Sequence, residues 1–214
     1  RALQIDVSAV EVRTGDTSAV PEGIGTFASR IAALAGSAVW EGAGQIIDMA
    51  KQAASELLEV NADELVYQSG RIHPLGAEQR SLDLFDIVRS GVRLDTTVKF
   101  QPQTVTFGGG VHAAVVEVEK KTGEIRLLQY LVTHDGGVPI NDDIVEGQIV
   151  GGVVQGIGEA LMEQLLYDEH GQVLTGSFMD YLLPTACDLP PIWMKHVHLA
   201  SRLNPLGVKG VGEA

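Results

Sequence analysis

Glu213 ends a run of three glycines and a lysine, GVKGVGEA (Gly207 to Ala214). A carboxylate held in a poorly solvated pocket is a competent general base. Gly207, Gly210 and Gly212 let the backbone pass close to something bulky or anionic, and Lys209 adds positive charge to the same stretch. A solvated turn has the same composition, so the segment needs partners before it means chemistry. Gln148 and Gln155 stand seven residues apart, which returns them to nearly one face after two helical turns. Gly147, Gly151 and Gly158 share that face or its edge, with Gly152 and Gly156 beside it. Each glycine inside a helix costs about 1 kcal/mol relative to alanine. Either the helix packs closely against a neighbour, or its bare face admits a flat polar ligand to the two carboxamides.

A third group is GIGTFASR, Gly23 to Arg30. Its glycines, the hydroxyls of Thr26 and Ser29, and Arg30 at a helix start make a ready anion site, although most such starts are merely capped. Other candidates lack context. His196 and His198 alternate on one strand face with no third ligand nearby, which favours a structural role. Gly108-Gly109-Gly110 precedes no helical pattern, and neither GxxxxGK[ST] nor GxSxG occurs. Trp40 and Trp193 read as core or interface residues, and Cys187 by itself as a small buried thiol.

These groups need elements to hold them. Alternation over Leu3 to Arg13 predicts a strand, and an Ala-rich pattern from Ser29 to about Glu59 predicts a helix. Small residues between Ala32 and Gly44 predict close packing of that helix. A strand is expected over Tyr67 to His73 with a turn at Ser69-Gly70, then a short helix from Ser81 to Arg89. Gly91 to Phe107 reads as a junction, dividing the chain into parts 1–107 and 108–214. Val111 to Glu119 and Glu124 to His134 form a hairpin, and Asp142 to Leu165 a helix capped by Asn141 or Asp142. Trp193 to Leu199 is a last strand. Without regular βαβ alternation the class is α+β, with mixed strands, hairpins and long Gly/Ala-rich helices.

The segment GVKGVGEA resembles the active-site loop of the molybdenum hydroxylases, the large subunits of xanthine dehydrogenase, aldehyde oxidase and aerobic carbon monoxide dehydrogenase type. VEGQIVGGVVQGIGEAL resembles the family helix whose two glutamines face the cofactor, and THDGGVPIN the strand and turn before it. It departs at Gly136 and Asp142, where members usually carry cysteine and proline. GIGTFASR is similar to the pterin-side loop of the carbon monoxide dehydrogenase-like branch, with Ala28 in place of the commoner glycine. MDYLLPTACDLP, Met179 to Pro190, resembles a further loop near the cofactor. The resemblance implies Glu213 as general base. It implies cofactor contacts from Gly25, Thr26, Phe27, Ala28, Ser29 and Arg30, from Gln148 and Gln155, and from Lys209, Gly210, Val211 and Gly212. Thr185, Cys187 and Asp188 would bond a pyrophosphate or nucleotide edge.

The same resemblance implies molybdopterin with molybdenum, as its cytosine dinucleotide form, and hydroxylation of a small organic substrate, or oxidation of CO, with oxygen from water. FAD and 2Fe–2S clusters would lie on partner chains or domains: an FAD-binding medium subunit, a 2Fe–2S small subunit, and a dimer of such protomers in the cytoplasm. The chain ends where family members continue, so it reads as part of a larger subunit. A rival reading makes it a cofactor-shell or assembly module that cannot turn over alone, and a plain α+β interaction domain would need all four motifs to be coincidental.

Composition agrees. With 214 residues and 45% hydrophobic content the chain can bury a core. A formal net charge of −13 disfavours nucleic acid and anionic membrane surfaces. One cysteine excludes an intrachain disulfide and a multi-thiolate zinc site, and no stretch reaches the roughly 20 apolar residues of a membrane span.

Overall fold

The computed structural model describes residues 1–20, 22, 23 and 25–213; Pro21 and Ile24 of the first glycine-rich loop, and Ala214, lie outside the described residues. Two compact units divide the chain: Arg1–Gly25 with Leu34–Gln101, and Thr26–Ala33 with Pro102–Ala214.

The long Ala-rich helix α1 spans Ile31–Leu58. In the first unit its Ala50 and Ala54, four apart and fully buried, meet Leu65, Ile72, Leu84 and Ile87. Small side chains on one helix face allow that approach. Strands β1 (Leu65–Gln68) and β2 (Arg71–Pro74) pair antiparallel around the Ser69-Gly70 turn, and β2 also pairs with the two-residue β3 (Leu82–Asp83). Positive φ at both Ser69 and Gly70 gives the turn whose twist suits a two-residue hairpin. Helix α2 (Leu84–Arg89) begins later than the expected Ser81 because Asp83 is its cap. The Asp83 carboxylate accepts from the Asp86 amide at 2.7 Å, and Asp86 reciprocates at 3.0 Å, a capping box that fixes the start.

No strand forms over Leu3 to Arg13. Asp6 instead accepts from both the amide and hydroxyl of Ser8 and caps a short 3-10 turn at Val7–Ala9. Val7 and Val12 stay about four-fifths exposed, so alternation had no partner strand to face, and the local side-chain bond won.

In the second unit β4 (Gly109–Val118) and β5 (Ile125–Asp135) form a long hairpin with one irregularity at Val115/Val116. Strand β6 (Ile192–His196) adds parallel to β5 and stops before the expected Leu199. Helix α3 covers Asp142–Leu161. Asn141 caps it, accepting from the Ile144 amide at 3.1 Å, and Ile149, Val153 and Ile157 make its buried face. It ends four residues before the expected Leu165. Both Met162 and Glu163 donate to the Gly158 carbonyl, and Tyr181 donates to the Glu163 carboxylate at 2.7 Å, drawing the chain off the helix axis. Two small three-stranded sheets with helices make the fold α+β. Among the described residues no helix is long and apolar enough to cross a membrane.

Candidate functional site

Everything that gathers around Glu213 belongs to the second unit. The turn after β5 holds the segment leading to it. Val138 donates to the Gly207 carbonyl and Lys209 to the Gly136 carbonyl, each at 2.9 Å, around a Gly137–Val208 bridge. Gly137 has φ +72°, and a Cβ there would fall on the Gly207 carbonyl and within 3.0 Å of the Lys209 amide, so only glycine fits. Asn204 ties the same segment from the other side, donating to the Val208 carbonyl and accepting its amide.

Past this anchor the chain runs against the loop before α1. Gly210 comes so close to Ser29 that a Cβ would lie 2.5 Å from the Ser29 carbonyl oxygen. At Gly212 a Cβ would sit 2.9 Å from Ser29 Oγ and 3.5 Å from Gln148 Nε2. Ser29 Oγ donates to Glu213 Oε2 at 3.0 Å. Three separated motifs, 26–30, the start of α3 and 207–213, therefore meet. Ala28, Ser29, Gly210 and Glu213 line a cavity of about 480 Å³ together with Gly108 to Gly110, His112 and His134.

Around that meeting point the remaining expected residues separate. Arg30 places its guanidinium 3.8 Å over the Phe27 ring, a cation–π contact, while its buried Nε has no hydrogen-bond partner among the described residues. Thr26 and Gly25 are exposed. On α3, Gln148, Gln155, Gly147 and Gly151 are exposed, and a Cβ at Gly147, Gly151 or Gly156 would meet open space. Among the described residues those three glycines serve no packing contact. Gly158 departs from the expected face: it is buried, and a Cβ would lie 2.9 Å from Pro184.

The 185–188 turn is closed on itself. Asp188 Oδ2 accepts from the Thr185 amide and hydroxyl at 2.8 and 2.7 Å, and Thr185 Oγ1 accepts from the Cys187 amide at 3.3 Å. The Thr185 hydroxyl, and then its amide, hold the Asp188 carboxyl below its ordinary range. Cys187 is exposed, contrary to the buried thiol expected; with Asp188 it borders a separate cavity of about 680 Å³ against the start of β5 and the end of α3. Neither tryptophan is a core residue, Trp40 being 45% and Trp193 62% exposed. Among the described residues no cluster of three or more His, Cys, Asp or Glu could hold a metal ion.

Lys209 turns to Asp135: its Nζ donates to Oδ2 at 2.5 Å, with both side chains about five-sixths buried. Asp135 Oδ1 also accepts from the amides of Gly137 and Leu199 at 3.0 and 3.2 Å. Burial pushes its carboxyl up, but the Lys209 hydrogen bond, the two amides and the Lys209 charge outweigh that and hold it below the ordinary value. Sequence reading passed over Asp135 and His134 and set aside Gly108 to Gly110 as lacking the context of a nucleotide loop. His134 is 5% exposed, and burial, only partly offset by Asp135, holds its imidazole below the usual range, favouring the neutral ring. Its Nε2 lies beside the Gly210 backbone without a well-formed hydrogen bond. A Cβ at Gly108 would lie 2.7 Å from the Gly210 carbonyl. The signal available in sequence was the unbroken Gly108-Gly109-Gly110 run ahead of a strand, which marks close backbone approach rather than a nucleotide loop.

Comparison with known proteins gives the family. A family model described as the molybdopterin cofactor-binding domain matches residues 1–190. The carbon monoxide dehydrogenase large chain of Hydrogenophaga pseudoflava is 32% identical over 99% of the chain and 28% of its own length. Subunit gamma of the 6-hydroxypseudooxynicotine dehydrogenase complex of Paenarthrobacter nicotinovorans is 34% identical, again over 99% of the chain and 28% of its own length. Among solved structures, quinoline 2-oxidoreductase from Pseudomonas putida 86 superposes with a TM-score of 0.79 at 33% identity, covering 90% of the chain and 26% of that protein. Reconstituted CO dehydrogenase from Oligotropha carboxidovorans gives 0.82 at 29%, covering 92% and 26%. The chain thus spans little more than a quarter of these relatives.

Proposed function

The chain belongs to the molybdopterin cofactor-binding domain family, and from that premise we propose that it forms the cofactor and base-bearing part of a molybdenum hydroxylase large subunit. One observation carries the reading: two loops and helix α3, distant in sequence, bring the Glu213 carboxylate, the Ser29 hydroxyl and the Gln148 carboxamide together over glycine backbone. The residues fit a large, flat, anionic group. Gly147 and Gly151 leave α3 bare beside exposed Gln148 and Gln155, and carboxamides both donate and accept. Thr26, Ser29 and Arg30 precede or open α1, where free amides favour anions. Gly25, Phe27 and Ala28 complete that loop, and the backbone of Lys209, Gly210, Val211 and Gly212 passes beside it. Thr185, Cys187 and Asp188 would meet the nucleotide end of a cytosine dinucleotide form.

When bound, the molybdenum centre supplies the two-electron oxidation of an electron-poor carbon or of CO, with water as the oxygen source. The chain's own work is proton transfer and placement. Ser29 Oγ donates to Glu213 Oε2, which leaves Oε1 to take the proton from the water-derived nucleophile. Glu213 is exposed in this chain, so exclusion of water falls to the rest of the large subunit, and the chain alone is inactive. An FAD-binding medium subunit and a 2Fe–2S small subunit would carry electrons away, within a dimer of protomers.

Molybdenum content and acid-released CMP, measured on the natively purified parent complex, test the cofactor. Near-stoichiometric amounts are expected, and an intact complex without molybdenum would end the reading. Glu213→Gln in that complex is expected to lower kcat by about 10²–10⁴-fold with molybdenum retained. Near-normal turnover would remove Glu213 from the mechanism.

A further inference from the structure

We propose that Asp135 is a positioning residue for the Glu213 loop, holding the Lys209 ammonium so that the loop is fixed and its cation stays off the base. This rests on the proposed role of Glu213. The geometry divides the two oxygens of Asp135 between two tasks. Oδ1 accepts the amides of Gly137 and Leu199 and shapes the turn after β5, whereas Oδ2 is given to Lys209 Nζ at 2.5 Å. With side-chain exposures of 17% and 16%, the ion pair is shielded from competing water and salt, unlike a surface pair. From Lys209 the chain needs only four residues to reach Glu213, and between them Gly210 and Gly212 give no side-chain purchase. The backbone approach of Gly210 and Gly212 to Ser29 starts from that anchor. The anchor is also the nearest cation on that segment, and a cation paired with Glu213 would weaken it as a proton acceptor. In the structure Lys209 pairs with Asp135, and the Glu213 carboxylate accepts from a neutral hydroxyl, Ser29.

Ionisable groups facing this region are His112 from β4, His134 from β5, His196 from β6, His198 just after it, and Arg30 beside Ser29. His134 and His112 line the Glu213 cavity, His196 sits 3.6 Å from Glu146, and His198 Nδ1 lies 3.4 Å from the Gly137 carbonyl. Asp135 is the carboxylate among them that meets Lys209.

Asp135→Asn separates the two tasks, since Oδ1 survives as an acceptor while the charge on Oδ2 is lost. In the complete enzyme we expect molybdenum content and KM within twofold of wild type and kcat at least tenfold lower. The acid limb of the kcat/KM profile should move to lower pH, because freed Lys209 then stabilises ionised Glu213. Lys209→Met added to Asp135→Asn should return that limb to its wild-type position. Independently of turnover, amide hydrogen exchange over 207–213 should quicken at least tenfold in Asp135→Asn, with 142–161 unchanged. Exchange at the wild-type rate overturns the proposal, as does a loss of kcat with the acid limb in place, or a loss of molybdenum in step with activity. If Asp135→Asn does not assemble, the double variant, which leaves no unpaired charge, is read by exchange alone under the same criterion. Should Glu213→Gln keep wild-type turnover, the base assignment fails by itself, and exchange still reports whether Asp135 ties the loop.

Discussion

At the scale of single residues the site is built from atoms that are missing. Gly210 is the sharpest case, since a methyl group there would press on both the carbonyl and the Cβ of Ser29, at 2.5 and 2.7 Å. The obstacle is partly backbone, so no rotamer change relieves it. Gly210→Ala should part the 207–213 segment from the 26–30 loop and break the Ser29–Glu213 bond. In the parent enzyme the expected outcome is at least tenfold lower molybdenum retention or kcat, read by metal analysis and steady-state rates. Gly44→Ala, in α1 with open space around its Cβ and no part in the proposed cofactor surface, is the control for helix propensity: if its loss matches that of Gly210→Ala, close approach to Ser29 is not the reason Gly210 is glycine. The neighbouring loop is strained in its own way. Ala28 and Ser29 have φ of +51° and +48°, the left-handed region that disfavours side chains. The glycine that Ala28 replaces in the resembling family would sit there at no cost.

At the scale of elements, what could be read from sequence was what local chemistry decides. Asn141 stands before a run of apolar residues with period near four, and it is the cap of α3. Removing that side chain by Asn141→Ala should cost about 1 kcal/mol, measured as a shift in the urea midpoint of the chain at unchanged slope. No shift would mean that tertiary contacts hold the helix start unaided. The β4–β5 hairpin was equally legible, because its alternation is paired by its own neighbour across a short turn. Leu3 to Arg13 alternates as well but has no adjacent strand, and Asp6–Ser8 bonding took it elsewhere. The end of α3 escaped for a related reason. The Tyr181–Glu163 bond comes from 18 residues away, and no window of sequence around Leu165 contains it. The motifs at 26–30, 148 and 207–213 were visible one by one; that they meet depends on the Gly137–Val208 bridge, which sequence spacing does not encode. Asp135 was missed because a lone acid before two glycines reads as a turn residue, and its function comes from Lys209, 74 residues on.

At the scale of the whole molecule, charge and exposed apolar surface pull in opposite directions. In the second unit every residue of β4 is exposed, and Phe107, Phe178 and Met179 are each more than three-quarters exposed. Apolar surface of this kind marks an interface. A chain that covers little more than a quarter of its relatives fits an origin in contacts with the remainder of a large subunit. A net charge of −13 opposes self-association of the chain on its own, because like-charged copies repel. That repulsion is screened over about 10 Å at 0.1 M salt and about 3 Å at 1 M, whereas apolar association is not weakened by screening. The isolated chain is therefore expected to bind a fluorescent hydrophobic probe at all salt concentrations, and to pass from monomer to higher species by light scattering as salt rises. The parent complex, with the same surface covered, should show neither. A chain that stays monomeric and dark to the probe at high salt would mean that β4 and its neighbours face solvent in the native enzyme as well. The large-subunit contact would then have to be sought on the first unit, where Val39 of α1 is 71% exposed.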